Sequence, residues 1–265
     1  EEVSNEVGHS EILQNTMKIA LEEQFTNTDF ASWSNEDWTN ETKSLYNIIN
    51  DGELYTIDSE GDKVIDLNEL TNIDEIKVVS ICAFKDNIKN SSLIQNVMKD
   101  NLDSIMGEDY DYSSWNGNKW EDEMTALYNV SKTISSINDK GEEVISFDDF
   151  EDMSEIKMTT IEACKDNIKN SEMIQKLMKD NLGSVMGEDY DYSSWDGDKW
   201  EDEMIALYNV SGTMATKNTN NEDVINFDDF EDMSEIKMTT IKECRNNIKN
   251  SEMIQKLMKD NLGSV

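Results

Sequence analysis

Five carboxylates in one short polar segment have a spacing suited to holding a metal ion. Counted from Asp58, they occupy positions 1, 3, 5, 9 and 12 of the segment 58–69. A hard cation takes about six to eight oxygen ligands, and carboxylates are among its usual donors. This spacing would let one stretch of chain wrap around a single ion. The segment 58–69 is therefore the strongest candidate for a chemical site.

The segment resembles the twelve-residue calcium loop of the EF-hand family. The resemblance implies side-chain ligands at positions 1, 3 and 5, a backbone carbonyl at 7, an often water-mediated contact at 9 and a bidentate carboxylate at 12. In this sequence those positions hold Asp58, Glu60, Asp62, Val64, Asp66 and Glu69. We therefore expect Ca²⁺ as the ligand of this segment.

Hydrophobic residues around the segment extend the resemblance. Leu54 and Ile57 lie where the incoming helix of an EF-hand places its hydrophobic residues, and Leu70 follows the loop. One departure weakens the expected affinity. Lys63 stands at position 6, where the family has a glycine for the sharp turn, and its charge opposes a cation.

Two later copies of the segment have fewer carboxylates. One copy places Asn138, Glu142 and Asp149 at positions 1, 5 and 12, with Lys140 at position 3. The other has the candidate ligands Asn218, Asn220, Glu222 and Asp229. An aspartate at position 12 is one methylene shorter than the glutamate that binds in bidentate fashion. We expect these copies to bind calcium more weakly than the first.

A simpler interpretation of the same residues needs no metal. Asp66 with Glu69, and Ser146 with Asp149, have the three-residue spacing of a capping box at the start of a helix. The first three carboxylates could also form a solvated turn around Gly61. The sequence leaves both interpretations open.

A tandem repeat determines the expected domain organisation. Residues 107–185 and 187–265 align without gaps and differ at 17 of 79 positions. A more diverged copy covers residues 27–106, and residues 1–26 resemble the tail of a preceding repeat. Similar tandem units usually stack in a quasi-linear array. We therefore predict repeats at 27–106, 107–186 and 187–265, preceded by a tail helix in 1–26.

The hydrophobic spacing within each repeat predicts an all-α fold with about three helices and two irregular loops. In residues 107–186 the first helix is expected to open at a capping box of Asn118 and Glu121. The second is expected to start near Ser146 and the third at Ser171, and these two could fuse. Each repeat would then contain an EF-hand-like helix-loop-helix.

An aromatic and acidic loop, GEDYDYSSW, recurs before the first helix of two repeats. Its carboxylates could hold a second cation; in the last repeat they are Asp189, Asp191, Asp196 and Asp198. No glutamate closes this loop at the twelfth position, which is Trp200. We favour the alternative in which the tyrosines and tryptophans attach the loop to the helices.

Composition excludes several functional classes. The chain has 23 basic and 58 acidic residues, a net charge of −35, and a single arginine, Arg245, which disfavours nucleic acid and anionic membrane surfaces as partners. No apolar run is long enough to span a membrane, and no signal peptide is evident. The odd number of cysteines, three, argues against a disulfide framework and mildly favours a reducing compartment.

These features predict a non-enzymatic, acidic repeat protein with a structural or scaffold role. No set of residues suited to nucleophilic or acid–base catalysis stands out in the sequence. The expected partners are neighbouring repeats or other copies of the chain, with calcium associated through the EF-hand-like loops. The alternative is an interaction or adhesion array with a protein or glycan partner and loops that hold no ion.

Overall fold

A computed structural model of the chain describes residues 2–26, 28–65, 75–150, 155–230 and 236–262, except for the side chains of Glu2, Asp148, Asp149 and Leu262. The described residues are mostly α-helical, with three small antiparallel sheets. The predicted all-α class is thus confirmed in outline, while the sheets were not predicted. The chain forms two compact units, one of residues 1–128 with 135–147 and one of residues 129–134 with 148–265.

Along its described residues, the first unit contains six helices and the beginning of a seventh. They are α1 (Glu2–His9), α2 (Glu11–Leu21), α3 (Asn35–Asp51), α4 (Val78–Asn87), α5 (Ser92–Asn101), α6 (Asp103–Met106) and α7 (Gly117–Ile134), of which residues 117–128 belong to this unit. Short 3-10 helices cover Phe30–Ser32, Ile88–Asn90 and Tyr112–Ser114.

The part of the first unit that the structure describes also contains two small sheets. Strands β1 (Thr56–Ile57) and β2 (Lys63–Val64) form an antiparallel hairpin. Strands β3 (Glu75–Lys77), β4 (Ser136–Ile137) and β5 (Glu143–Ser146) form a sheet in the order β3-β5-β4. In this sheet Ile76 lies opposite Ile145 and Lys77 opposite Val144.

The second unit repeats these element types. Its helices after the end of α7 are α8 (Met158–Asn167), α9 (Glu172–Asn181), α10 (Gly183–Met186), α11 (Gly197–Met214), α12 (Met238–Asn247) and α13 (Glu252–Leu262). Its strands β6 (Glu155–Lys157), β7 (Thr216–Lys217) and β8 (Asp223–Asn226) form a sheet in the order β6-β8-β7. The segments Phe147–Phe150 and Phe227–Phe230 are 3-10 helices.

Helix starts follow local capping in some places and differ from the prediction in others. Ser171 caps α9 by accepting the N–H of Ile174, as predicted. The helix α7 starts at Gly117 because Asn116, not Asn118, accepts the N–H groups of the first turn. The predicted capping box of Asn118 and Glu121 is therefore wrong.

The predicted second helix also starts later than expected. It begins at Met158 rather than near Ser146, because residues 143–146 and 155–157 form strands. The second and third helices do not fuse, since backbone turns precede the cap residue Ser171. The expectation that a helix leads directly into the first polar loop is also wrong. The helix α3 ends at Asp51, and Ile57 lies in the hairpin with an exposed side chain.

Each core is built from aliphatic, aromatic and sulfur-containing side chains, as the stripes predicted. Trp120, Phe84 and Phe230 are among the largest fully buried side chains. Cys164 and Cys244 are buried and Cys82 is partly buried, and all three are free thiols. Burial raises the pKa of the Cys164 thiol to about 12, which fits a packing role rather than a reactive one.

Candidate metal-binding hairpins

The first polar loop is the turn of a tight hairpin between β1 and β2. The N–H of Gly61 donates to the carbonyl of Asp58 at 3.2 Å, and the N–H of Asp58 donates to the carbonyl of Asp62 at 3.0 Å. The Asp58 carboxylate accepts the N–H groups of Glu60 and Asp62, each at 2.9 Å. Residue 58 therefore organises the turn with its side chain as well as its backbone.

The two later polar loops form the same turn with asparagine in the first position. The Asn138 side-chain oxygen accepts the N–H groups of Lys140 and Glu142, each at 3.0 Å. Asn218 does the same for Asn220 and Glu222, again at 3.0 Å. The charge of Asp58 is thus not required for the turn, because a neutral amide oxygen serves equally well.

The fourth residue of each turn has a left-handed backbone. Gly61 has φ 89°, Gly141 has φ 79° and Asn221 has φ 63°. A residue with positive φ after a β-turn lets the two strands resume their pairing, and glycine or asparagine adopts it at least cost. The glycine of the first loop therefore serves the hairpin.

Replacing Gly141 by valine should destabilise the second hairpin by about 1–2 kcal/mol, because a β-branched residue is strained at positive φ. The space around Gly141 is open, so the effect isolates the backbone conformation. Urea unfolding followed by circular dichroism would measure the loss. The matched change Asn221→Gly should alter stability by only a few tenths of a kcal/mol, and an equal loss in both variants would contradict this account.

In the later hairpins, a lysine forms an ion pair with the glutamate at position 5 of the loop. The Lys77 ammonium lies 2.8 Å from the Glu142 carboxylate, and that of Lys157 lies 3.1 Å from Glu222. Hydrogen bonds from Lys77 and then Asn138 lower the pKa of Glu142, while those from Asn218 and then Lys157 lower that of Glu222. A lysine ammonium thus supplies positive charge where the resemblance implies a calcium ion.

The first hairpin differs because its lysine is held outside the turn. The Lys63 ammonium donates to the Asn50 side-chain oxygen at 2.8 Å and lies 3.9 Å from the centre of the Tyr55 ring. Asp58, Glu60 and Asp62 are exposed. The pKa of Asp58 is lowered mainly by the backbone N–H groups of Asp62 and Glu60, so this carboxylate is readily ionised.

The structure brings three of the six predicted ligands of the first loop into one turn and places Val64 in β2. Asp66 and Glu69 lie outside the described residues. Across the described part of the chain, no three His, Cys, Asp or Glu side chains converge in a group that could hold a metal ion. Calcium binding by this loop stays a prediction.

The ligands predicted for the later loops are distributed in the same way. Asn138, Glu142, Asn218 and Glu222 meet within their turns. Asp149 and Asp229 instead lie in the 3-10 helices that follow β5 and β8. The carboxylates at the twelfth position therefore belong to a separate element from the turn.

The carboxylates of the aromatic loop have local structural roles. Asp191 accepts the N–H of Ser193 at 2.9 Å, and Asp196 caps α11 by accepting the N–H of Lys199 at 2.9 Å. Asp198 forms an ion pair with Lys169 at 2.6 Å. These contacts account for three of the four carboxylates without a bound cation.

The aromatic residues attach this loop to the following helix, as we favoured. Tyr192 stacks on Trp200 of α11 with ring centroids 5.3 Å apart and an angle of 10° between the planes. Trp195 packs edge-on against Trp200 at 4.7 Å. Burial raises the pKa of Tyr192 to about 12. The same arrangement of Tyr112 and Trp120 occurs in the first unit.

Sequence reasoning missed a buried glutamate that joins the first and third helices of a predicted repeat. Glu41 of α3 accepts hydrogen bonds from the Ser91 hydroxyl at 2.5 Å and the Ser92 N–H at 2.6 Å, at the start of α5. Glu203 makes equivalent contacts with the start of α13. The available signal was the recurrence of Glu41, Glu123 and Glu203 at one repeat position.

Comparison with known proteins gives no match, whether to a protein-family model, a curated protein or a solved structure. The resemblance to the EF-hand family therefore rests on the loop residues alone. Among the described helices, none combines the length and apolar character that crossing a membrane requires.

Proposed function

We propose that the chain is a non-enzymatic, acidic tandem-repeat scaffold whose first polar hairpin associates with calcium. The chain would consist of a tail in residues 1–26 followed by three repeats, at 27–106, 107–186 and 187–265. Successive repeats stack, and the hairpins lie where one repeat meets the next.

The observation that carries this proposal is the way strands are shared between consecutive predicted repeats. Strand β3 belongs to the repeat 27–106, yet it completes the sheet formed by the β4–β5 hairpin of the repeat 107–186. Strand β6 is shared in the same way with the hairpin of the last repeat. A strand that pairs outside its own repeat supports a stacked array rather than independent modules.

The calcium part of the proposal rests on the first hairpin. Its turn has carboxylates at positions 1, 3 and 5, and Lys63 is held away from them by Asn50 and Tyr55. In the later hairpins an asparagine replaces Asp58, and a lysine pairs with position 5. Since the number of charged ligands tunes calcium affinity, the first hairpin should bind calcium more tightly than the other two.

Calorimetric titration should detect one tighter calcium site, with a dissociation constant on the order of 10⁻⁵ to 10⁻⁴ M. The variant Asp58→Asn should weaken it about tenfold or more, because ligand charge is lost. The turn should persist in this variant, since Asn138 and Asn218 make the same backbone contacts. Glu69→Gln should abolish the site by removing the predicted bidentate ligand.

The matched control is Asp149→Asn, which changes the equivalent closing position of the second loop and should leave the tighter site intact. Circular dichroism should show unchanged helix content in every variant. If the wild-type chain takes up no calcium saturably at physiological salt, or if Glu69→Gln binds normally, the calcium part of the proposal is wrong.

A second candidate function is an interaction or adhesion array whose loops hold no ion. The specific observation in its favour is the pair of lysine contacts to Glu142 and Glu222, which replace a cation in the later hairpins. Chelation separates the two functions. EDTA should lower the melting temperature of a calcium-associated scaffold and leave that of an ion-free array unchanged.

A further inference from the structure

The outer edge of the first hairpin is exposed, whereas the equivalent edges of the later hairpins are covered. Val64 of β2 is 43 % exposed, but Val144 of β5, which pairs with β3, is only 4 % exposed. Val224 of β8 is covered in the same way by β6. Within the described residues, β1 and β2 form a sheet of two strands, while the other two sheets have three.

A complementary surface is exposed at α12. Met238 is 78 % exposed, whereas its equivalent Val78 is 5 % exposed. Ile241 and Ile248 are half-buried, although the isoleucines at the equivalent positions of the two earlier copies are fully buried: Ile81, Ile88, Ile161 and Ile168. We call Ile236, Lys237 and α12 the strand face, and α3 with β1 and β2 the hairpin face.

The chain itself shows how these two types of surface fit together. In the second unit, β6 pairs with β8 while α8, which follows β6, packs on α11. Lys157 of β6 reaches Glu222 of the hairpin, and Lys165 of α8 lies 5.0 Å from the centre of the Tyr208 ring on α11. In the first unit, β3 pairs with β5 in the same register.

We propose that the strand face of one copy of this chain docks on the hairpin face of a second copy. The register of the internal pairs places Ile236 opposite Ile65 and Lys237 opposite Val64. Lys237 would then reach Asp62, which stands where Glu142 and Glu222 stand in the later hairpins.

One side chain is already arranged for this contact, and a second stands at an equivalent position. The Lys237 ammonium donates to the carbonyl of Thr213 at 3.0 Å. Lys77, which completes an internal contact, similarly reaches the carbonyl of Glu53. Arg245 occupies the position of Lys165, and its guanidinium would cover Tyr46, which is 61 % exposed in the single chain.

Helix α1 competes with this docking. It packs on α3, where Val7 is buried and Gly8 approaches closely. A Cβ added at Gly8 would lie 1.9 Å from the Thr39 hydroxyl and 2.8 Å from the Asn35 carbonyl. Since a docked α12 would take the place of α1 on α3, the hairpin face is only partly accessible, and the apparent affinity falls with its accessible fraction.

The contact joins two different faces, so each copy can offer one face to each of two neighbours. This inference rests on the scaffold proposal and names a second copy as the partner, but it requires no calcium. Because each copy carries a charge of −35, salt should strengthen the association by screening repulsion.

The test is sedimentation equilibrium in EDTA at moderate salt, up to a protein concentration of about 1 mM. Gly8→Val should displace α1 and tighten self-association about tenfold or more relative to the wild type. Val7→Lys should do the same by removing the buried valine contact. Circular dichroism and tryptophan fluorescence would verify that the rest of the chain stays folded in each variant.

A double variant tests the direction of the contact. Gly8→Val with Ile236→Lys has an open hairpin face but a blocked strand face, so it should be monomeric alone. Mixed with wild-type chain at a concentration where the wild type alone is monomeric, it should form a one-to-one complex and nothing longer. Folded Gly8→Val and Val7→Lys chains that stay monomeric would overturn the proposal, as would association that survives Ile236→Lys. A negative calcium titration would leave this result unaffected.

Discussion

Replacing Trp120 by alanine is expected to lower the unfolding free energy of the first unit by about 3–5 kcal/mol. Trp120 is among the largest fully buried side chains. Its ring stacks on Tyr112 at 5.5 Å and meets Trp115 edge-on at 4.7 Å. Truncation would leave a cavity beneath two aromatic rings, and it would detach the aromatic loop from α7. Urea unfolding followed by circular dichroism would measure the loss.

Two control variants separate burial from aromatic character. Trp120→Phe keeps a ring in the site and should lose clearly less stability than the alanine variant. Tyr46→Ala removes an exposed ring and should change stability by about 0.5 kcal/mol or less. A Trp120→Ala chain as stable as the Tyr46→Ala chain would show that the aromatic cluster contributes little to the fold.

The sequence predicted those elements that local residues determine. The start of α9 was predicted correctly because Ser171 caps it through a residue three positions on. The attachment of the aromatic loop was also predicted, since Tyr192, Trp195 and Trp200 are close in sequence and contact one another. In both cases the signal and the contact lie within about one helical turn or a short loop.

The strands could not be predicted locally because their partners are distant in sequence. Ser146 and Asp149 have the spacing of a capping box, yet Ser146 lies opposite Glu75 in a sheet. The apolar residue Ile156 fits a helical stripe, yet it pairs with Ile225. A strand of three residues has too little pattern of its own, and its pairing with another repeat decides its conformation.

The turn itself had a local signal that was assigned to another structure. Gly61 and Gly141 follow Asp58 and Asn138 by three residues, a spacing typical of a hairpin turn that ends in a left-handed residue. Because these oxygen-bearing side chains also match the ligands of a calcium loop, they were interpreted as metal ligands and the hairpin was not predicted. The residues at positions 1 to 5 do share one turn, whereas the helix expected to begin near Ser146 begins only at Met158.

The buried glutamates were hidden by the acidity of the chain. With 58 acidic residues, nothing in the immediate neighbourhood of Glu203 marks it as buried. It is fully buried, and its carboxylate accepts hydrogen bonds from the Ser251 hydroxyl at 2.6 Å and the Met253 N–H at 3.1 Å. The Lys199 ammonium lies 2.6 Å away. A single carboxylate thus accepts the hydrogen bonds of the donors at the start of α13 and also pairs with the charge of Lys199.

Glu203→Gln should therefore destabilise the second unit by about 1–3 kcal/mol, since the fully buried side chain would lose the charge that strengthens its hydrogen bonds to the start of α13. The new amide NH₂ would also face groups that themselves donate. In one orientation these are the Lys199 ammonium and the Glu252 N–H, and in the other the Ser251 hydroxyl and the Met253 N–H. Hydrogen exchange should report faster opening at Met253 and Ile254. Glu201→Gln removes an exposed pair with Lys169 and should cost less than about 1 kcal/mol. If the two variants lose equal stability, the buried carboxylate does not join α11 to α13.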